Sequence, residues 1–323
     1  MLQHQIPGGN HLKLIKLEDM YDFIGDIHGH ADKLEALLVK MGYSKKNDVY
    51  QHPERKAFFV GDFIDRGPKI RETLQIVRGM IDQGHAIGLM GNHEYNAICF
   101  HYMRKDGGHL RRHKITNVLQ HVKTLKAFHN KDDEFKEYLE WFKTLPVFYE
   151  TSAFRAIHAC WDQENIELLK SRLHNQNLLT EELFYESVLH KSDFHFAIEE
   201  TLKGKEITLP NGASFKDKDG TKRHETRMKW WEDPSKTTYR NISIVPIKQM
   251  ENKAVNIAEL KKPGFYQEDQ VPIFFGHYLL KGEPSIYRDN ICCLDFSVAK
   301  RGKLVAYRFD GEQVLNNDKL VYV

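Results

Sequence analysis

Three short segments of this chain carry the residue types of a metal site, and each follows an apolar run. Asp26 and His28 lie two residues apart in Gly25-Asp26-Ile27-His28-Gly29, so both side chains point to the same side of an extended chain. Asp62 stands in Gly61-Asp62-Phe63-Ile64-Asp65-Arg66-Gly67, and Asn92 in Gly91-Asn92-His93-Glu94. His158 and His277 end two later apolar runs. Asp62 offers two oxygens able to bridge two cations, Asn92 a neutral amide oxygen, and the histidines imidazole nitrogens. This mixture suits Mn²⁺, the first choice, or Fe or Zn²⁺. Ca²⁺ prefers oxygen-only shells and Mg²⁺ keeps several waters. Two such divalent ions roughly 3.5–4 Å apart clamp the attacking and leaving oxygens of an in-line phosphoryl displacement. A bridging hydroxide then serves as nucleophile at neutral pH, and no protein nucleophile is required.

The elements that must position these residues alternate. Tyr21 to Ile24 reads as a strand, followed by a helix with Ala31, Leu34, Leu37, Leu38 and Met41 on one face. Ala57 to Val60 is a second strand, followed by a helix carrying Ile70, Leu74, Val77 and Ile81, with Pro68 near its start, where a missing N–H costs nothing. Ala86 to Met90 is a third strand. Such alternation implies βαβ units in an α/β fold, with ligands bound outside the carboxyl ends of the strands. Glycines beside each polar cluster permit tight turns there.

From about Ala97 to Leu145 the pattern is helical and charged. Its Arg104-Lys105 and Arg111-Arg112-His113-Lys114 read either as a basic rim or, the favoured reading, as a solvated helix face. Strands resume at Val147-Phe148-Tyr149, Phe154 to His158 and Val271 to His277. A terminal hairpin is expected from Ile291–Ser297 and Leu304–Phe309. Residues 163–245 read as an insertion into a single catalytic domain spanning 1–323. Its first half is helical, and hairpins are expected around Leu209-Pro210-Asn211-Gly212 and Asp217-Lys218-Asp219-Gly220.

The 323 residues carry Lys+Arg 47 against Asp+Glu 45, a formal charge of +2, which argues against a nucleic-acid partner. Of the 18 histidines, those in bland segments such as Gln120-His121 and Leu173-His174 read as surface residues. Cys99, Cys160, Cys292 and Cys293 show neither CxxC spacing nor disulfide density, and the N-terminus has no secretory pattern. No apolar run nears the ~20 residues of a membrane span. A reducing cytoplasm is the expected location. Oligomeric state is not legible.

The ordered set GDIHG, GDFIDRG and GNHE resembles the signature of the calcineurin-like metallophosphoesterases. Its DRG places it near the phosphoprotein phosphatase branch, which includes diadenosine tetraphosphate hydrolases. That resemblance, of bacterial type, covers residues 20–160 well and 271–310 more loosely. It implies a four-layer α/β sandwich, two mixed sheets flanked by helices, with a helical and hairpin insertion. It also implies one metal on Asp26, His28 and Asp62 and a second on Asp62, Asn92, His158 and His277. Arg66 would pair with the substrate phosphate together with Asn92, His93 would protonate the leaving alkoxide, and Asp65 would orient His93. Two departures stand out. The family's His-Gly-Gly is here His158-Ala159-Cys160-Trp161, and Gly276-His277-Tyr278 lacks a second histidine. The absence of that histidine fits the phosphatase and diadenosine-hydrolase side.

The insertion adds Arg223 to Trp231, in which basic residues interleave with Trp230 and Trp231. The tryptophans read either as a stacking platform for a base or as a core anchor. Arg227 is the candidate second phosphate-binding arginine. The leading expectation for substrate is a phosphorylated protein, cleaved as by a serine/threonine phosphatase. The alternative is a nucleotide such as diadenosine tetraphosphate. A silent binding module would lack a ligand or Arg66, and all are present.

Overall fold

The computed structural model describes residues 20–190, 192–216, 222–245, 253–260 and 262–323. The N-terminal segment read for a secretory pattern lies outside them. The first half repeats strand then helix. β1 (Tyr21–Ile24) is fully buried and leads into α1 (Ala31–Lys40), which buries Ala31, Leu34, Leu37 and Leu38 as one stripe. A hairpin of β2 (Ser44–Lys46) and β3 (Val49–Gln51) precedes β4 (Lys56–Phe59). α2 (Ile70–Asp82) buries Ile70, Leu74 and Val77, and β5 (Ala86–Gly88) leads into α3 (Asn92–His101). The charged stretch that follows forms α4 (Ile115–Ala127) and α5 (Asp132–Phe142).

β6 (Phe148–Glu150) and β7 (Arg155–Ile157) open the second half. Three helices follow: α6 (Gln163–Arg172), α7 (Glu181–Ser187) and α8 (Asp193–Lys203). At their starts Asp162, Thr180 and Ser192 accept the N–H three residues on, as N-caps do. Short strands β8 (Glu206–Thr208), β9 (Phe215–Lys216), β10 (Lys222–Arg223) and β11 (Glu225–Arg227) precede α9 (Tyr239–Ile242). The chain finishes with β12 (Ile273–Phe275), β13 (Ile291–Cys293), β14 (Asp295–Phe296), β15 (Lys303–Phe309) and β16 (Leu320–Tyr322).

Two mixed sheets result. One runs β14-β15-β1-β4-β5 with β16 on β15, and the other β13-β12-β7-β6. β1, β4 and β5 are parallel, with β15 antiparallel to β1, while β12 is parallel to both β7 and β13. The sheets face each other across an aromatic core in which Phe23 and Phe274 stack at 3.8 Å, ringed by Phe58, Phe154 and Phe309. On the outer face of the first sheet lie α1 and α2, and over the second lie Trp230 and Trp231, against Phe275. The result is the four-layer α/β sandwich. It places the ends of β1, β4, β5, β7 and β12 together.

Three expectations are corrected. The terminal hairpin is β14 with β15 alone, because Ile291–Cys293 pairs with β12 in the other sheet and the chain crosses between sheets at Leu294. An apolar run shows burial but not which sheet takes each half. The Pro210–Gly212 turn does not join neighbouring strands, since β8 pairs with β11 around an inner β9–β10 pair. The turn at 217–220 lies outside the described residues. Arg111 to Lys114 belong to a loop before α4 rather than to a helix face. No helix among the described residues is long and apolar enough to cross a membrane, and all four cysteines are free and buried.

Candidate metal centre and cleft

The loops after the strands are tied to one another before any side chain enters. Ile27 and His28 both donate their N–H to Asp62 O, Gly29 N–H donates to Phe63 O, and Gly276 N–H to His158 O. The loops after β4 and β5 touch backbone to backbone. A Cβ on Gly91 would lie 2.3 Å from Asp62 N, and one on Gly61 2.7 Å from Gly91 Cα. His28, Asp62, Asp65, Arg66 and His277 themselves adopt left-handed backbone, with φ of 48°, 56°, 66°, 58° and 73°. Such conformations cost energy in non-glycine residues and persist where surrounding contacts over-determine them. Glu94, on α3, does much of that holding. Its carboxylate accepts the N–H groups of Asp62 (2.9 Å), Phe63 (2.8 Å) and Gly91 (3.0 Å), the last as in a capping box. Burial, then Asp62, pushes Glu94 up to about 7.

The side chains converge in two groups sharing Asp62. Ligand-type atoms of His28, Asp62 and His93, and of Asp62, His158 and His277, lie within 4.8 Å of one another. His28 Nδ1 bonds Ile64 O at 2.9 Å, which turns Nε2 to within 3.6 Å of Asp62 Oδ2. His158 Nδ1 likewise bonds Val60 O, and its Nε2 meets Asn92 Oδ1 at 3.1 Å and Asp62 Oδ1 at 3.4 Å. Backbone carbonyls on Nδ1 fix the tautomer and ring direction that metal-binding histidines need. Asp26 sits at the same cleft, where its carboxylate accepts His277 N–H at 3.0 Å. It falls in neither group.

Two observations test whether these residues suit cations. His277 Nε2 is buried and has no hydrogen-bond partner among the described residues. A buried orphan nitrogen is costly unless a ligand satisfies it. The buried carboxylates also crowd: burial, then Asp295 and Asp62, holds Asp26 well above the usual range, and burial raises Asp295 as well. Divalent cations offset that charge. His28 is pushed down to about 4 by burial and by His93, and His277 is lowered by burial, Arg227 and His158, so both are neutral and able to ligate. The donor set fits a dinuclear metal centre.

His93 is different, because its Nδ1 is taken by Asp65 Oδ2 at 2.5 Å. Burial works against its protonation, but Asp62 and Asp65 overcome that and raise it to about 9. Asp65 is itself fixed. Its Oδ1 accepts from Thr124 Oγ1 and lies 2.9 Å from His121 Nδ1, and its N–H donates to Thr124 Oγ1 at 3.1 Å. His121, expected at the surface, is therefore buried and part of this network. His121 and Thr124 lie three residues apart on one face of α4, and that i, i+3 spacing of two hydrogen-bonding side chains was the signal available in the sequence.

Nine of the ten residues singled out by sequence line one cavity of about 340 Å³, and His158 lies fully buried behind it. Arg66 is exposed at its rim and makes no hydrogen bond or ion pair with the described residues. Arg227 is one of the nine, whereas Trp230 and Trp231 are not among the lining residues. Both indoles are buried against Phe275, and Trp230 Nε1 donates to Ala159 O at 2.9 Å, so they anchor and cannot stack on a base. That anchor also accounts for Ala159 and Cys160, whose N–H groups face Thr201 O of α8. The basic-rim reading holds for Arg111, which with Lys203 also lines the cavity; sequence favoured a solvated face.

Residues 21–278 match the family model described as calcineurin-like phosphoesterase. The chain belongs to this family. Similar proteins include the asymmetrical bis(5'-nucleosyl)-tetraphosphatase PrpE of Oceanobacillus iheyensis, 44% identical over 140 residues, 43% of this chain and 54% of that protein. The symmetrical bis(5'-nucleosyl)-tetraphosphatase of Vibrio parahaemolyticus is 30% identical over 145 residues, 44% of this chain and 46% of that one. The chain thus matches about half the length of these curated relatives. A solved yeast serine/threonine phosphatase with similarity to human PP5 aligns over 94% of this metallophosphoesterase and 79% of its own chain, at 12% identity and a TM-score of 0.45.

Proposed function

We propose that this metallophosphoesterase hydrolyses dinucleoside polyphosphates such as diadenosine tetraphosphate, with two divalent cations, Mn²⁺ first. The observation that carries this reading is the cleft's charge. Beside the His/Asp groups its wall holds five cationic side chains, Arg66, Arg111, Lys203, Arg227 and Lys300. A phosphomonoester brings one phosphate to such a wall, whereas a dinucleoside polyphosphate brings several in a row. The names of the curated relatives support the same substrate class. Sequence had put a phosphorylated protein first, and that reading becomes the alternative.

Asp26, His28 and Asp62 would hold one ion, and Asp62, Asn92, His158 and His277 the other. When bound, such ions polarise phosphoryl oxygens and lower the pKa of water. The chain's own groups do the rest. Arg66 and Arg227 grip the phosphate under attack, with Asn92 beside them, and Arg66's planar fork matches two oxygens. His93 holds a proton on Nε2, which faces the cleft because Nδ1 is bonded to Asp65, and delivers it to the departing oxygen. Residues 163–245 act as a recognition segment that brings Lys203 and Arg227 to the cleft. The test is kcat/KM for diadenosine tetraphosphate against a panel of phosphoserine, phosphothreonine and phosphotyrosine peptides, at fixed free Mn²⁺. The nucleotide is expected to lead by at least about tenfold. Preference for a phosphopeptide would return the alternative.

A further inference from the structure

A second cavity, about 610 Å³, opens on the far side of a wall made by Asn96, Arg111, Asn117 and Lys203, residues it shares with the first. Its lining is basic. Arg104, Arg112, Lys114, His190 and His195 face it, against a single carboxylate, Glu199. Glu199 is already paired with Lys203, and Arg104 with Asp106.

Arg111 is the distinctive member of the shared wall. Its guanidinium donates to Asn96 Oδ1 at 2.7 Å, Asn117 Oδ1 at 2.9 Å and Gln120 Oε1 at 2.9 Å. All three partners are neutral amides, so they aim the group without cancelling its charge, and two of its five N–H donors are left. Burial lowers Arg111 from the ordinary arginine value, the mark of a cation whose surroundings under-compensate it. The loop that carries it is braced. Arg111 N–H donates to Cys99 O at 2.7 Å, and the His113 ring lies against Phe100 at 3.8 Å and His109 at 3.9 Å. A side chain held this firmly loses little entropy on binding. Its partner Asn96 stands one turn of α3 from Asn92, about 6 Å along the axis. Arg111 is therefore a few bonds of a phosphoanhydride chain away from the candidate metal centre.

We propose that the second cavity is a subsite for the non-reacting end of an oligophosphate chain, with Arg111 gripping a phosphate beyond the one under attack. This rests on the nucleoside polyphosphate reading above. It makes Arg111 a specificity-determining residue, since a substrate with a single phosphate cannot reach both places.

The experiment compares wild type, Arg111→Gln and Arg111→Lys in two ways. With Mn²⁺ at fixed free concentration, kcat/KM is measured for diadenosine tetraphosphate and for p-nitrophenyl phosphate. Separately, calorimetry measures binding of a methylene-bridged diadenosine tetraphosphate analogue to the metal-free protein. A charged hydrogen bond to phosphate sets the scale of the effect. Arg111→Gln is expected to lower the ratio of the two kcat/KM values about tenfold, chiefly through KM, and to weaken the analogue about tenfold. Arg111→Lys recovers part of both. Equal losses on the two substrates, or wild-type affinity for the analogue, would overturn the subsite. A wild type that cleaves p-nitrophenyl phosphate but not diadenosine tetraphosphate overturns the proposed function instead, and the subsite is then decided by the analogue alone.

Discussion

His93 and Asp65 form one unit: Nδ1 of the imidazole lies 2.5 Å from Oδ2 of the carboxylate, while Thr124 and His121 hold the other oxygen. The bond leaves Nε2 facing the cleft, where a proton donor to a leaving group must stand. His93→Ala should lower kcat on esters of poor leaving groups by about 10²–10⁴-fold, the usual range for general acid catalysis. The loss on p-nitrophenyl phosphate should be smaller, because that leaving group needs little protonation. Equal losses across a leaving-group series would show that His93 does something else.

Thr124→Val tests the support beneath that unit. It removes a hydroxyl that donates to Asp65 Oδ1 and accepts Asp65 N–H. Leaving such buried groups unpaired costs about 1–3 kcal/mol. The melting temperature should fall, and kcat should fall on poor leaving groups more than on good ones. Thr124→Ser, which restores the hydroxyl, should recover most of both.

The sheet-to-sheet core has its own test. Phe23 and Phe274 stack at 3.8 Å and are fully buried. Phe274→Ala should destabilise the chain by about 3–5 kcal/mol, read from chemical denaturation. A loss below about 1 kcal/mol would mean that the sheets do not pack through this pair.

Acid should destabilise the chain partly through His101. Burial, then the charges of His121, His113 and His109, lowers it to about 4. Unfolded histidine titrates near 6.5, so between about 6.5 and 4 the unfolded chain binds the proton and the folded chain does not. Stability is therefore lost as pH falls through that window. In His101→Gln the drop in melting temperature from pH 7 to pH 5 should be smaller than in wild type. An unchanged drop would assign the acid limb to other groups.

Much of this was legible in the sequence because strand ends announce themselves. Asp26, Asp62 and Asn92 each follow an apolar run through a glycine, and the fold brings those ends together as the βαβ alternation requires. What periodicity cannot encode is partner choice. Ile291 to Leu294 reads as one strand, yet the chain changes sheets at Leu294. His121 looked like surface because its neighbours are polar, while its burial depends on Asp65, 56 residues away. The tryptophans in Arg223 to Trp231 read equally as a base platform or as a core anchor, and periodicity could not choose between them. Their burial against Phe275 leaves only Arg227 of that segment at the cleft.

Asp62 is the residue common to both His/Asp groups. The most direct measurement is Mn²⁺ stoichiometry by equilibrium dialysis on wild type and Asp62→Asn, alongside hydrolysis of diadenosine tetraphosphate. Two ions per wild-type chain are expected, fewer than two in Asp62→Asn, and loss of most activity in the variant. One ion or none in an active wild type, or two ions and full activity in Asp62→Asn, would contradict a dinuclear centre sharing Asp62.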